Sequence, residues 1–194
     1  MNNRNSIRIC LLACVVVVLA AIYGAYQATR PQFTVEELHE KWLTYKKDNT
    51  KKDLLSDIAT MGKSNHRFER NYAIGTLGWI GQTESLPNEY LEIIFGALSH
   101  DEITTVCAAA GALAQMRLTK LPPRVRSQLI KIIKNYPGTS QARDAISTFS
   151  PLPPSELIDD KELLKVVDDV IAEKYFITES VATKLYEHIH AGTQ

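Results

Sequence analysis

The chain has 194 residues, 45% of them hydrophobic, enough for one domain and an appendage. Lys and Arg (22) balance Asp and Glu (22), but unevenly: residues 1–30 hold Arg4, Arg8 and Arg30 and no acid, which leaves 31–194 at about −3. A weakly acidic domain is a poor match for phosphate backbones, which require clustered Lys and Arg, so nucleic-acid binding is set aside.

After a basic segment, 1–8, residues 9–29 carry no formal charge and centre on Val15-Val16-Val17-Val18. As a helix, 21 residues span roughly 30 Å, the thickness of a hydrocarbon core. Tyr23 and Tyr26 stand near one end, where amphipathic rings favour headgroups. No comparable apolar stretch exists elsewhere to pair with it in a core, so the segment is read as membrane-directed. Val18-Leu19-Ala20 offers small residues at cleavage spacing, yet Ala21-Ile22 continue the apolar run. Leu11-Leu12-Ala13-Cys14 has the order of a lipidation box, but its apolar stretch follows the cysteine. An uncleaved signal anchor is the favoured reading, with cleavage still open. Arg4, Arg8 and the amino terminus favour an N-terminus inside and a domain outside, in the periplasm if the membrane is a bacterial inner membrane.

Residues 30–49 read as a linker and N-terminal capping helix, opened by Thr34-x-x-Glu37 and carrying Leu38, Trp42 and Tyr45. Beyond it the chain repeats itself. Arg70-x-x-Ala73-Ile74-Gly75-Thr76-Leu77-Gly78 recurs as Val106-x-x-Ala109-Ala110-Gly111-Ala112-Leu113-Ala114, then as Ala142-x-x-Ala145-Ile146-Ser147-Thr148-Phe149-Ser150. Ala73, Ala109 and Ala145 are 36 residues apart, and the preceding segments keep the same register at Ile58, Ile94 and Ile130. Each unit reads as two amphipathic helices, the second with small residues for close approach. Leu86-Pro87, Leu121-Pro122-Pro123 and Leu152-Pro153-Pro154 mark the borders, since Pro suits the first turn of a helix. Ser99-x-x-Glu102 predicts a capping box for the second helix of its unit.

The pattern Arg-x-x-Ala-small-x-small-Leu-Gly resembles the second helix of a HEAT repeat, over roughly residues 50–155. The family's arginine stands only at Arg70, with Val106 and Ala142 at the matching positions. The resemblance implies an all-α protein, an α-α superhelix, whose stacked second helices form a protein-binding scaffold. Residues 156–194 predict two C-terminal capping helices, Glu162–Tyr175 and Glu179–His190; from Ser155 on, the net charge is −5.

Candidate chemistry is sparse. His39-Glu40 begins like a zinc-protease motif, but Leu43 stands where the second His belongs. His188 and His190 point about 200° apart on a helix. Cys107 reads as a small buried residue. No phosphate loop or nucleophile elbow is present, so the expectation is no enzyme, no cofactor and no metal. Two surfaces stand out. Phe68, Tyr72 and Trp79 cluster about 110–150° around the helix from the centre of the packing stripe Ala73/Leu77/Ile80. Either the helix with Leu38, Trp42 and Tyr45 caps this stripe, or the stripe with Trp42 is a protein-binding patch. The run Lys120, Arg124, Arg126, Lys131 and Lys134 is either the solvated side of a helix or a lipid-headgroup contact. The expected function is a membrane-tethered adaptor binding a protein partner. An immunity-type inhibitor of an envelope-acting toxin is the alternative, and an enzyme subunit the remote one. Partner identity and oligomeric state are left open.

Overall fold

The computed structural model describes residues 52–191, together with Glu37, Glu40 and Leu43, which are helical and exposed. The segment 9–29 and Trp42 lie outside the described residues. Among the described residues no helix is long and apolar enough to cross a membrane.

The protein is all-helical over this span, with no strand among the described residues. Helices α1 (Lys52–Gly62) and α2 (Arg67–Thr83) form one antiparallel pair; α3 (Asn88–Ala97) and α4 (Ile103–Met116) form the next. Then come α5 (Pro123–Asn135) with α6 (Ser140–Phe149), a single turn α7 (Pro154–Leu157), and α8 (Lys161–Ala172) with α9 (Glu179–Ala191). The second helices pack side by side in the order α2, α4, α6, α9, and the first helices lie behind them. The tightest layer contact is α2 on α4.

Burial repeats with the sequence. Ala73, Ala109 and Ala145 are fully buried, as are Leu77, Leu113 and Phe149 four residues later. The C-terminal pair continues both layers. Ala182 is buried 37 residues after Ala145, and Val167 the same distance after the buried Ile130. Since α9 packs on α6 and α8 on α5, the pair occupies the place of a fourth unit. Its spacing is one residue longer than 36, and the turn α7 intervenes, so the match escapes a search at fixed period.

Prolines stand where the chain enters helix after each border: Pro123 opens α5, Pro154 opens the single turn α7, and Pro87 immediately precedes α3. The capping box at Ser99 does not form. The second helix starts at Ile103, with Glu102 at the N-cap and no side-chain cap. The carboxylate of Glu102 pairs instead with Arg70, and the Glu102 N–H donates to His100 Nδ1 at 3.0 Å. A buried guanidinium attracts that carboxylate more strongly than an exposed N–H does, because hydrogen bonds between charged groups are the stronger kind.

Arg70 itself is a staple between units. Its Nη1 donates to the Ser64 carbonyl at 2.9 Å, and Nε and Nη2 donate to Thr105 Oγ1 at 3.2 and 3.0 Å. It therefore links the turn after α1, the helix α2 and the first turn of α4. At the matching positions Val106 and Ala142 are buried and apolar, so no arginine staple of this kind recurs at the later junctions.

Candidate functional site

The helix α2 turns one face to the stack and the other outward. Its inward face carries Ala73, Leu77 and Ile80, all buried. Outward, Tyr72 and Trp79 stand over Gly75, and the next helix brings Cys107, Gly111 and Gln115 to the same place. Together they bound a groove of about 300 Å³ between α2 and α4. Tyr72 is half-buried, and burial raises its phenol above the usual value; Trp79 is 47% exposed.

The floor is low because glycines make it so. A Cβ placed on Gly75 would meet nothing within 4 Å, and one on Gly111 would meet only the Asp144 carboxylate at 3.5 Å. Glycine inside a helix costs up to about 1 kcal/mol relative to alanine, and neither position needs it for packing. The two residues occupy equivalent places in successive units; the third carries Ser147. In the wall, Gln115 Oε1 is buried without a hydrogen-bond partner. Such an acceptor is uncommon in native structures and is satisfied by a donor N–H or O–H.

Cys107 is half-buried at the groove wall, more accessible than the sequence suggested. Burial raises its pKa, and the Asp144 carboxylate adds to the effect. A raised pKa means less thiolate at a given pH. Alkylation of Cys107 by iodoacetamide, in a chain with Cys10→Ser and Cys14→Ser, is therefore expected to lag behind a free thiol at pH 8 and catch up on unfolding in urea. Equal rates in the native and unfolded chain would contradict this.

Of the sequence-selected residues, the structure brings Tyr72 and Trp79 together. Phe68 is separated from them: it is 74% exposed at the start of α2, outside the groove, with the Arg67 guanidinium 4.8 Å over its ring. Cys107 and Gln115 complete the groove and were not selected. Gln115 stands 36 residues after Trp79, at the equivalent place in the next unit.

The basic run does not act as one patch. Arg124 pairs with Glu92 and Arg126 with Glu156, each bridging neighbouring units. Arg126 also donates to the Glu156 carbonyl at 3.0 Å. The histidines are engaged as well: His188 Nε2 bonds the Leu152 carbonyl and His190 Nδ1 the Tyr186 carbonyl, both at 2.8 Å. Among the described residues no group of three or more His, Cys, Asp or Glu is arranged to hold a metal ion. A second, more polar crevice of about 400 Å³ lies between the turn after α1 and helix α3. Its arginine, Arg70, is already committed to the unit junction.

Over the described residues, fold and groove thus define stacked helix pairs with an aromatic-walled surface groove on the second-helix layer. The chain matches no family model, no curated protein and no solved structure.

Proposed function

We propose that this chain is a membrane-tethered adaptor of the HEAT-repeat type, whose α2–α4 groove receives a segment of a partner protein on the extracytoplasmic side. The observation that carries this reading is the groove: Tyr72 and Trp79 over a floor of Gly75 and Gly111, beside the unpartnered Gln115 acceptor. Aromatic walls suit an apolar side chain, a glycine floor admits close backbone approach, and the acceptor suits a backbone N–H. The repeated register at 36 residues and the side-by-side second helices support the family reading. The apolar segment 9–29 supports the tether, which would raise the effective concentration of the groove near membrane partners.

Gly75→Leu tests the groove without disturbing the core, since open space lies above that position. The variant is expected to keep its fold while recovery of the partner from intact membranes falls at least about tenfold, as a loss near 1.4 kcal/mol implies. Trp79→Ala and Phe68→Ala separate the groove from its surroundings, the first lowering recovery and the second not. Unchanged recovery with both Gly75→Leu and Trp79→Ala would remove the groove from the function. Trp79→Ala losing binding only in step with stability would make Trp79 a core residue. Turnover of a substrate by the purified chain would replace the adaptor reading altogether.

A further inference from the structure

The four turns that join first to second helices lie along one edge of the stack. Arg70 ties the turn at Ser64 to Glu102 in the next turn. Leu98, Ile103 and Tyr136 border one crevice, which brings the second turn beside the third. Thr178 Oγ1 donates to the Pro137 carbonyl at 2.7 Å, which joins the third to the fourth.

This edge is where the apolar surface is. Phe68, Ile103, Tyr136, Phe176 and Ile177 are exposed along it, five of the eight large hydrophobic side chains exposed among the described residues. The opposite edge, formed by the turns between units, buries its apolar residues Leu86, Leu121 and Leu152. Phe176 is 97% exposed, yet its turn is pinned: Thr178 is buried and hydrogen-bonded, and Tyr175 packs close over Gly138. An aromatic side chain held outward on a braced turn is suited to an apolar environment beyond the protein.

Charge along the edge is mixed. Lys63, Arg67, Lys134 and Lys174 are interspersed with Asp101, Glu173 and Glu179, so attraction to anionic headgroups is weak and aromatic insertion is what the edge offers. The chain enters α1 at Lys52, on the opposite edge, and the 22 residues 30–51 can span up to about 75 Å, enough for the turn edge to reach the surface that residues 9–29 enter.

We propose that this turn edge rests on the bilayer, with the Phe176–Ile177 turn inserted at the headgroup boundary; the placement rests on the reading of residues 9–29 as a tether. The helices α2 and α4 both begin at this edge and run away from it, so the groove between them runs along the membrane normal. That direction matches a partner segment emerging from the same membrane.

The test uses the full chain in vesicles whose lipid tails are brominated near the headgroup. Phe176→Trp is introduced into a chain carrying Trp42→Phe and Trp79→Phe, with Lys120→Trp on the opposite edge as the reference. Insertion of about 5–10 Å places Trp at 176 beside the bromines, so its emission is strongly quenched, while Trp at 120 is not. Equal quenching at the two positions, or none at 176, overturns the proposal. Alkaline carbonate extraction reads the tether separately. A chain retained in the membrane but unquenched at 176 sinks the edge and leaves the tether. A chain released by carbonate but quenched at 176 in intact vesicles sinks the tether and leaves the edge.

Discussion

Arg70→Ala is expected to destabilise the protein by about 2–4 kcal/mol, most of which comes from one junction. The guanidinium is buried, and its loss leaves the Ser64 carbonyl without its donor and opens a void between α2 and α4. Thr105 loses less, since its hydroxyl still donates to Asn71 Oδ1 at 2.8 Å. Glu102 also loses less than a buried partner would: its side chain is 47% exposed, and water replaces part of the ion pair. At about 2–4 °C per kcal/mol, the melting temperature falls by roughly 10 °C. Arg70→Lys should recover less than half of the loss, because a single ammonium cannot bridge Ser64, Glu102 and Thr105 together. Urea midpoints of the three chains check this. A loss under about 0.5 kcal/mol in Arg70→Ala, the range of ordinary surface changes, would mean that the junction holds without its staple.

Two glycines one turn apart on α2 should respond with opposite sign to the same substitution. Gly78 lies where α2 crosses α4 most closely: a Cβ there would stand 2.6 Å from Ala112 Cα and 2.7 Å from its Cβ. Backbone of a buried helix cannot yield as a side-chain tip does, so Gly78→Ala must push the two helices apart. The expected cost is about 1–3 kcal/mol, even after the better helix propensity of alanine. Gly75→Ala meets nothing and should stabilise by up to about 1 kcal/mol. The difference between the two variants in thermal unfolding is the measurement. If both stabilise, the approach of α2 to α4 is looser than 2.6 Å implies.

Much of this architecture is legible in the residues themselves. A small residue every 36 positions, followed four residues later by Leu or Phe, shows which side of each second helix enters the stack, and the structure buries that side in every unit. Helix starts at Pro123 and Pro154 follow from proline alone. The outward direction of Tyr72 and Trp79 follows from the same periodicity, because they lie about 120–140° around the helix from the buried Ala73 and Leu77.

What escaped the sequence depends on residues brought together across units. Ser99 and Glu102 have the spacing of a capping box, but Arg70 lies 32 residues earlier and takes the carboxylate. Arg124 and Arg126 read as part of a basic run until Glu92 and Glu156 arrive from neighbouring units. Phe68 shares a helical face with Tyr72 and Trp79, yet the start of α2 coincides with the edge of the stack, so it joins Phe176 there and leaves the groove. The C-terminal pair, expected as caps, stands in both layers like the units before it. Periodicity determines which face of each helix is buried, since burial repeats with the helical turn. Which outward residues meet is decided by how successive helices are rotated and offset, and that is a property of packing between segments some 36 residues apart. The groove belongs to the second kind: its aromatic wall was readable on α2, while the floor and the unpartnered Gln115 acceptor appeared only when α4 was laid against it.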